Sequence, residues 1–232
     1  MPAAEEDSMN EGKSILRWGG LAGMLGGIIF IFSIIILVGL APPPATTTAL
    51  VTSYPDQRAA ITLGEALYLA AVILWVPLFL SLYRALRGTS LAPALFGSGL
   101  ALVGLVSYAI GALPVVAFSR ISDLYHAPGA TPVGQATLVM LWQATQGIFN
   151  ETDTMGFIFM NIGIVILGVA MLRAAAFGKI FGGVSLVLGV AGVLGISLLS
   201  VDSVSFAPFA ILLFIVFPVL FGWKVYSLSK NA

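Results

Sequence analysis

The sequence predicts an all-α membrane protein, a single polytopic bundle of six transmembrane helices. Of the 232 residues, 59% are hydrophobic and 9% are charged, whereas soluble domains carry roughly 25% charged residues. The mean hydropathy is +1.06, and a water-soluble fold does not bury that much apolar surface. Six separate stretches also reach the length of about 20 apolar residues that a helix needs to cross a hydrocarbon core about 30 Å thick.

The expected spans have their bounds where polar or charged residues interrupt the apolar runs. They cover residues 18–40, 61–83, 91–118, 153–172, 177–200 and 205–227. Runs such as Gly26–Leu40 do not alternate between polar and apolar residues. The alternating strands of about 10 residues that build a transmembrane barrel are therefore excluded, and helices remain.

The first span resembles a secretory signal peptide only in its position. Glu5, Glu6 and Asp7 make the preceding segment acidic, and Pro42 follows the only plausible cleavage point. Both features argue against cleavage. We therefore expect a short disordered tail over residues 1–17, then an uncleaved first helix within a single domain over residues 18–232.

The distribution of Lys and Arg predicts the orientation, because these residues are retained on the cytoplasmic side of a membrane. Only Arg58 and Arg120 fall on the opposite side of the expected topology. The other eight fall on one side, next to span ends: Lys13, Arg17, Arg84, Arg87, Arg173, Lys179, Lys224 and Lys230. This split predicts six crossings with cytoplasmic N- and C-termini.

The connection between the third and fourth spans contains an amphipathic segment over residues 133–149. Its apolar residues recur with helical spacing, whereas Gln135, Gln143 and Gln146 lie away from that face. One interpretation is a helix lying along the outer membrane surface, with Trp142 at headgroup depth. The alternative is a buried lid that packs onto the bundle.

Glycine spacing predicts close helix packing. Small residues four apart let helix backbones approach one another in a membrane. The pattern occurs in the first and fifth spans, at Gly19, Gly23, Gly27, Gly178, Gly182 and Gly189. Packing within the bundle is the first interpretation, and a dimer interface is the alternative.

Few polar side chains lie within the spans, and those few gather toward the outer side. Glu65 lies about one turn into the second span, Asp153 stands at the edge of the fourth, and Asn161 lies two turns further on. Asn150, Asp153 and Asn161 lie roughly along one stripe, which could face Glu65 in an outer polar pocket. The alternative is that the carboxylates cap helix N-termini and Asn161 stabilises helix packing.

Other chemistry is not indicated by the composition. The chain has no cysteine and one histidine, His126, and one histidine with scattered carboxylates is a weak metal signal. We therefore expect no metal or cofactor, and no catalytic residue can be assigned from a recognisable nucleophile, base and acid arrangement. The net charge of zero gives no reason to expect a nucleic-acid partner.

Two stretches carry a family resemblance. One is Leu78–Arg87, which ends in Leu-Tyr-Arg-Ala-Leu-Arg; the other is Phe157–Gly183, in which a short basic turn separates two spans. Over about residues 60–227 the chain resembles domain of unknown function 4386, a family of multi-pass proteins of bacteria and archaea. The histidine often found in the fourth span of that family has no counterpart here, where Asn161 lies nearby. The resemblance implies a small helical bundle in a prokaryotic cytoplasmic membrane and no assigned chemistry.

Three classes of function are compatible with these observations. The first expectation is a non-enzymatic structural, accessory or interaction subunit, with the lipid bilayer and other membrane subunits or a second copy as partners. The alternative is a small transporter or sensor with an outer-facing polar pocket. A membrane enzyme that modifies lipids is the second alternative, and it would need a nucleophile or metal that the sequence does not reveal.

Overall fold

The structure is a computed structural model, and it describes residues 2–40, 46–199 and 207–231. Within these ranges the chain is helical and contains no strand. The helices are α1 (Pro2–Gly39), α2 (Thr47–Leu86), α3 (Leu91–Gly111), α4 (Leu113–Tyr125), α5 (Pro132–Arg173), α6 (Gly178–Leu199) and α7 (Ala207–Asn231). Six helices, with α3 and α4 counted together, are long and apolar enough to cross a membrane. The protein is thus a multi-pass helical membrane protein, which confirms the predicted fold class.

The helices pack as two groups. α1 packs between α2 and α7, and α5 packs between α3 and α6. Contacts between α2 and α3 join the groups, while the short α4 packs on α2 and α5. α2 and α5 contact α4 as well as the other helices of the bundle. They therefore connect the two ends of the bundle.

Aromatic side chains fill the space between the two groups. The ring of Phe214 in α7 lies 5.2 Å from Phe30, 5.5 Å from Trp75, and 5.4 Å from both Tyr108 and Phe157, between ring centroids. Rings at these separations attract one another in addition to burying apolar area. This cluster therefore holds α1, α2, α3, α5 and α7 together.

Glycines allow the closest helix contacts, as predicted, and they face the interior of the bundle. A Cβ atom at Gly19 would lie 2.6 Å from the carbonyl oxygen of Pro77 in α2, and one at Gly189 would lie 2.9 Å from that of Asn161 in α5. Gly23, Gly27 and Gly182 similarly face Leu78, Val219 and Leu172. These contacts favour packing within the bundle over a dimer interface.

Gly178 has a different role from the one predicted. Its φ is +70°, and a Cβ atom there would have no neighbour within 4 Å. Glycine adopts positive φ at no steric cost. Gly178 thus allows the turn between α5 and α6 and does not contribute to packing.

The α3–α5 crossing depends on glycine pairs that the sequence pattern did not reveal. A Cβ atom at Gly104 would lie 2.6 Å from the carbonyl oxygen of Gly156, and one at Gly163 would lie 2.5 Å from that of Gly97. The two glycines of each helix are seven residues apart, which is close to two turns. The two helices therefore touch backbone to backbone at two successive levels.

α2 and α5 are much longer than a membrane is thick. They contain 40 and 42 residues, or about 60 Å at 1.5 Å per residue, against a hydrocarbon core of about 30 Å. Each begins at a threonine, Thr46 or Thr131, whose side chain accepts a hydrogen bond from a backbone N–H of the first turn. Each has an arginine in its last turn, Arg84 or Arg173. We call the end of the bundle with these arginines the basic end and the opposite end the extended end.

The extended end differs from the sequence prediction in two ways. Residues 133–149 form no separate surface helix, because the sequence up to 153 contains no proline and the helix continues unbroken into the fourth span as α5. The third span, predicted over 91–118, is interrupted at Ala112 and forms the two helices α3 and α4. Pro114 lies in the first turn of α4, where its missing N–H is tolerated.

The start of the first helix also differs from the prediction, and two other predicted bounds cannot be compared with the structure. α1 begins at Pro2, so the expected disordered tail is helical; Pro2 and the alanines and glutamates after it suit a first helical turn. The predicted span limits at 200 and 205 lie outside the described residues.

The glycine pairing predicts that Gly104→Ala destabilises the protein. The new methyl group would meet backbone atoms of Gly156 and Met160, which cannot rotate away, so we expect a loss of about 1–3 kcal/mol. Gly99→Ala is the matched control on the same helix, because no atom lies within 4 Å of its Cβ position. Thermal unfolding in detergent should show a lower midpoint for the first variant only. Equal midpoints would contradict the close α3–α5 contact.

Candidate functional site

The extended end is a small three-helix assembly with its own apolar core. Val51 and Tyr54 of α2, Phe118 and Ile121 of α4, and Trp142 of α5 are buried together. Phe118 stacks on Trp142 with ring centroids 4.4 Å apart, and Tyr54 meets Trp142 edge-on at 5.3 Å. Trp142 was predicted at headgroup depth, but it is buried between α2 and α4 because those helices extend alongside α5.

Polar contacts fix α4 against α2. Arg58 of α2 forms a salt bridge with Asp123 of α4 and also donates to the carbonyl oxygen of Ser119 at 3.4 Å. The hydroxyl of Ser122 donates to the carbonyl oxygen of Val51 at 3.4 Å. Arg58, which makes two of these contacts, is one of the two Lys or Arg residues that lie outside the basic end.

A cavity of about 190 Å³ lies beneath α4. Its polar side chains are Gln57 and Glu65 of α2 and Gln146 of α5. The remaining walls are apolar or aromatic and come from α1, α2, α4 and α5: Leu37, Leu50, Tyr54, Ile61, Val115, Phe118, Trp142 and Phe149. None of these lining residues is basic. An apolar enclosure with a few polar groups is the usual form of a small-molecule site.

Two carboxylates lie toward the extended end, and one of them, Glu65, lines the cavity. Glu65 precedes Arg84 by 19 residues in α2, and Asp153 precedes Arg173 by 20 in α5, so both lie about 30 Å from the basic end. That distance equals the thickness of a hydrocarbon core. Both residues are half-buried, and Asp153 lies within the electrostatic reach of Glu65.

Among the described residues, no basic side chain forms a salt bridge with Asp153. Its oxygen Oδ1 is buried and accepts no hydrogen bond from them. A Cβ atom at Gly111 would lie 2.8 Å from this oxygen, so the carboxylate occupies space that a larger residue in α3 would fill. The side chains of Tyr68 and Tyr108 lie within the field of Asp153, and the buried hydroxyl of Tyr108 also has no hydrogen-bond partner.

The other two residues of the predicted pocket are placed elsewhere. Asn150 is exposed, and its side-chain oxygen accepts a hydrogen bond from Gln146 at 3.0 Å. Asn161 is fully buried, donates to the carbonyl oxygen of Phe157 at 2.8 Å, and lies against Gly192 of α6. Eight residues of an α-helix turn through about 80° more than two full turns, so Asp153 faces α3 while Asn161 faces α6.

Metal or nucleophile chemistry gains no support at the extended end. Asp123 is engaged by Arg58, and Nδ1 of His126 contacts the carbonyl oxygen of Ser122 at 2.8 Å. In the part of the chain that the structure describes, no group of three or more His, Cys, Asp or Glu side chains is placed to hold a metal ion.

Several residues of the site were missed by sequence reasoning. Tyr108 and Gly111 lie in a third span that reads as an ordinary apolar run, and nothing in its spacing separates them from lipid-facing neighbours. Phe118 and Trp142 become partners only because α2 and α5 continue beyond the membrane. A usable signal was present in α2 after Pro55, because residues 56–63 contain no proline or glycine before the span that follows.

Comparison with known proteins supports the architecture. The profile of the family named Domain of unknown function (DUF4386) matches residues 20–226. The match covers most of the chain and includes the first span, which the sequence resemblance had left out. The chain therefore belongs to this family of multi-pass helical proteins. No curated protein and no solved structure matches it significantly.

Proposed function

We propose that this protein binds a small molecule in the cavity at the extended end and acts as a small membrane transporter or sensor. The cavity carries this proposal because its walls are mostly apolar and Glu65 is one of its few polar side chains. Apolar cavities of about 150 Å³ already bind benzene, so a ligand with one ring fits the available volume. The position of the cavity at the edge of the hydrocarbon core makes it accessible to molecules from water or from lipid.

Filling the cavity should abolish binding. In the variant Ile61→Phe, Val115→Phe, two larger side chains would occupy the walls of the cavity. Leu63→Phe, Val116→Phe is the matched control, because these neighbours are exposed. Fluorine NMR of protein labelled with 5-fluorotryptophan gives one signal for each of the four tryptophans. Trp142 lines the cavity, while Trp18 and Trp223 are exposed and report nonspecific partitioning.

The neutral probe neopentylbenzene should shift the Trp142 signal saturably in the wild type and the control. It should not do so in the filled variant. A Trp142 shift that grows without saturation, in parallel with those of Trp18 and Trp223, would contradict a binding site in the cavity.

We further propose that both termini and the basic end lie in the cytoplasm of a prokaryotic cell. The support is the clustering of eight of the ten Lys and Arg residues at that end. At the extended end Arg58 is engaged by Asp123, and Arg120 is exposed. The extended end and its cavity then face outward.

The absence of cysteine makes this orientation directly measurable. Gly88→Cys places a single thiol in the α2–α3 turn at the basic end, and Ala130→Cys places one in the α4–α5 turn; both positions are exposed. A membrane-impermeant maleimide should label Ala130→Cys in intact cells and Gly88→Cys only after permeabilisation. The reverse pattern would overturn the proposed orientation.

A second candidate function is that of an accessory or interaction subunit. The exposed face of α5 in the extended end carries large apolar side chains, at Val133, Met140, Leu141 and Ile148. These residues lie beyond the length of helix that a 30 Å core covers, and apolar patches outside lipid commonly mark protein contacts. Another membrane subunit or a second copy would cover them. Purification in mild detergent with a stable stoichiometric partner supports this function, and a monomer argues against it.

A further inference from the structure

The charges around the cavity are unbalanced. All ten Lys and Arg residues lie in the described part of the chain: eight at the basic end, Arg58 in its salt bridge with Asp123, and Arg120 exposed on α4. None of them, nor His126, forms a salt bridge with Glu65 or Asp153 within the described residues. Glu65 lines the cavity and Asp153 lies within its electrostatic reach. A positively charged ligand would stabilise both side chains in their ionised form, because burying unpaired charge is costly.

A second and independent feature is the buried hydroxyl of Tyr108. The residue is 2% exposed, and within the described residues its hydroxyl oxygen has no hydrogen-bond partner. Buried polar atoms are nearly always satisfied by protein, water or ligand. Tyr108 precedes Gly111 by about one turn of α3, and Gly111 faces Oδ1 of Asp153, so these two buried polar atoms lie in the same region of the bundle.

Aromatic rings form the rest of that region. Tyr68 follows Glu65 by one turn of α2, and its ring meets that of Tyr108 at 6.1 Å with the planes at 82°. The two rings meet edge to face, and the negative face of an aromatic ring attracts cations, as in the aromatic cages that bind quaternary ammonium groups. Ca²⁺ or Mg²⁺ would instead need six or more oxygen ligands.

We propose that the ligand is a small organic cation whose ammonium group lies between Glu65 and Asp153 and whose apolar part fills the cavity under α4. This inference rests on the proposed function, because it names the chemical class of the molecule that the cavity binds. The cavity and the carboxylate of Asp153 are adjacent along α5. Gln146 and Phe149 line the cavity, and Asp153 follows Phe149 by one turn of α5.

Two probes of the same shape separate charge from size. Benzyltrimethylammonium and neopentylbenzene differ only in having a positive nitrogen or a neutral carbon at the branch point. Both are titrated into 5-fluorotryptophan protein in nanodiscs of zwitterionic lipid, with the Trp142 signal as the readout. For the wild type we expect the cation to bind about tenfold or more tightly than its neutral counterpart.

Removal of the two carboxylates should abolish this preference. In Glu65→Gln, Asp153→Asn the ratio of the two dissociation constants is expected to fall to about one. The matched control is Asp56→Asn, Glu151→Gln, which removes two exposed carboxylates from the same two helices and should keep the wild-type ratio. The Trp75 signal, from the buried core, reports that each variant is folded. If the double variant loses that signal, Asp153→Asn alone is used, with a reduced ratio expected.

The outcomes distinguish this inference from the proposed function. Equal affinity of the two probes for the wild type, or a cation preference that survives removal of both carboxylates, overturns the inference while small-molecule binding stands. A Trp142 signal that neither probe shifts saturably overturns the proposed function as well.

Discussion

The lengths of α2 and α5, about twice the thickness of a hydrocarbon core, determine where the other features of this protein lie. Measured from Arg84 and Arg173, about 20 residues cross the core and bring Glu65 and Asp153 to its far edge. The remaining turns continue side by side, and their separation leaves room for α4. A shorter α2 or α5 would remove one wall of the cavity and leave Trp142 without its ring partners. Helix length is thus the constraint that produces both the carboxylate pair and the enclosure above it.

Close backbone contact is what allows two such long helices to hold their positions. The glycine pairs between α3 and α5 bring Gly111, at the end of α3, next to Asp153. Tyr108 lies about one turn before Gly111 in α3, and its ring meets that of Phe214 with centroids 5.4 Å apart. The packing of helices in lipid is enough to explain the glycine contacts between α3 and α5. The same contacts also position the side chains of the polar region. The unbalanced charge there is costly for the folded state, and such cost is typical of a site maintained for binding.

Much of the fold could be predicted because membrane thickness limits the possible structures. Six apolar runs and the eight-to-two distribution of Lys and Arg were sufficient for the helix count, and Gly19 and Gly189 pack inside as expected. Prediction failed where helices leave the membrane, since amphipathic spacing in residues 133–149 does not distinguish a surface helix from the continuation of α5. The pairing of Glu65 with Asp153 stays a prediction, whereas Asn161 faces α6 and not the pocket, because a straight helix drifts by about 80° over eight residues. Tyr108 could not be found, because its role depends on a contact between distant segments.

The central claim is that a positively charged group binds at Glu65 and Asp153, next to the rings of Tyr68 and Tyr108. The most direct measurement is an experimental structure of the protein with 4-bromobenzyltrimethylammonium, in which anomalous scattering locates the bromine atom. We expect one bromine position within the cavity near Trp142 and density for the ammonium group at the two carboxylates. A bromine position only on the lipid-facing surface, with the cavity occupied by protein side chains, would contradict the account.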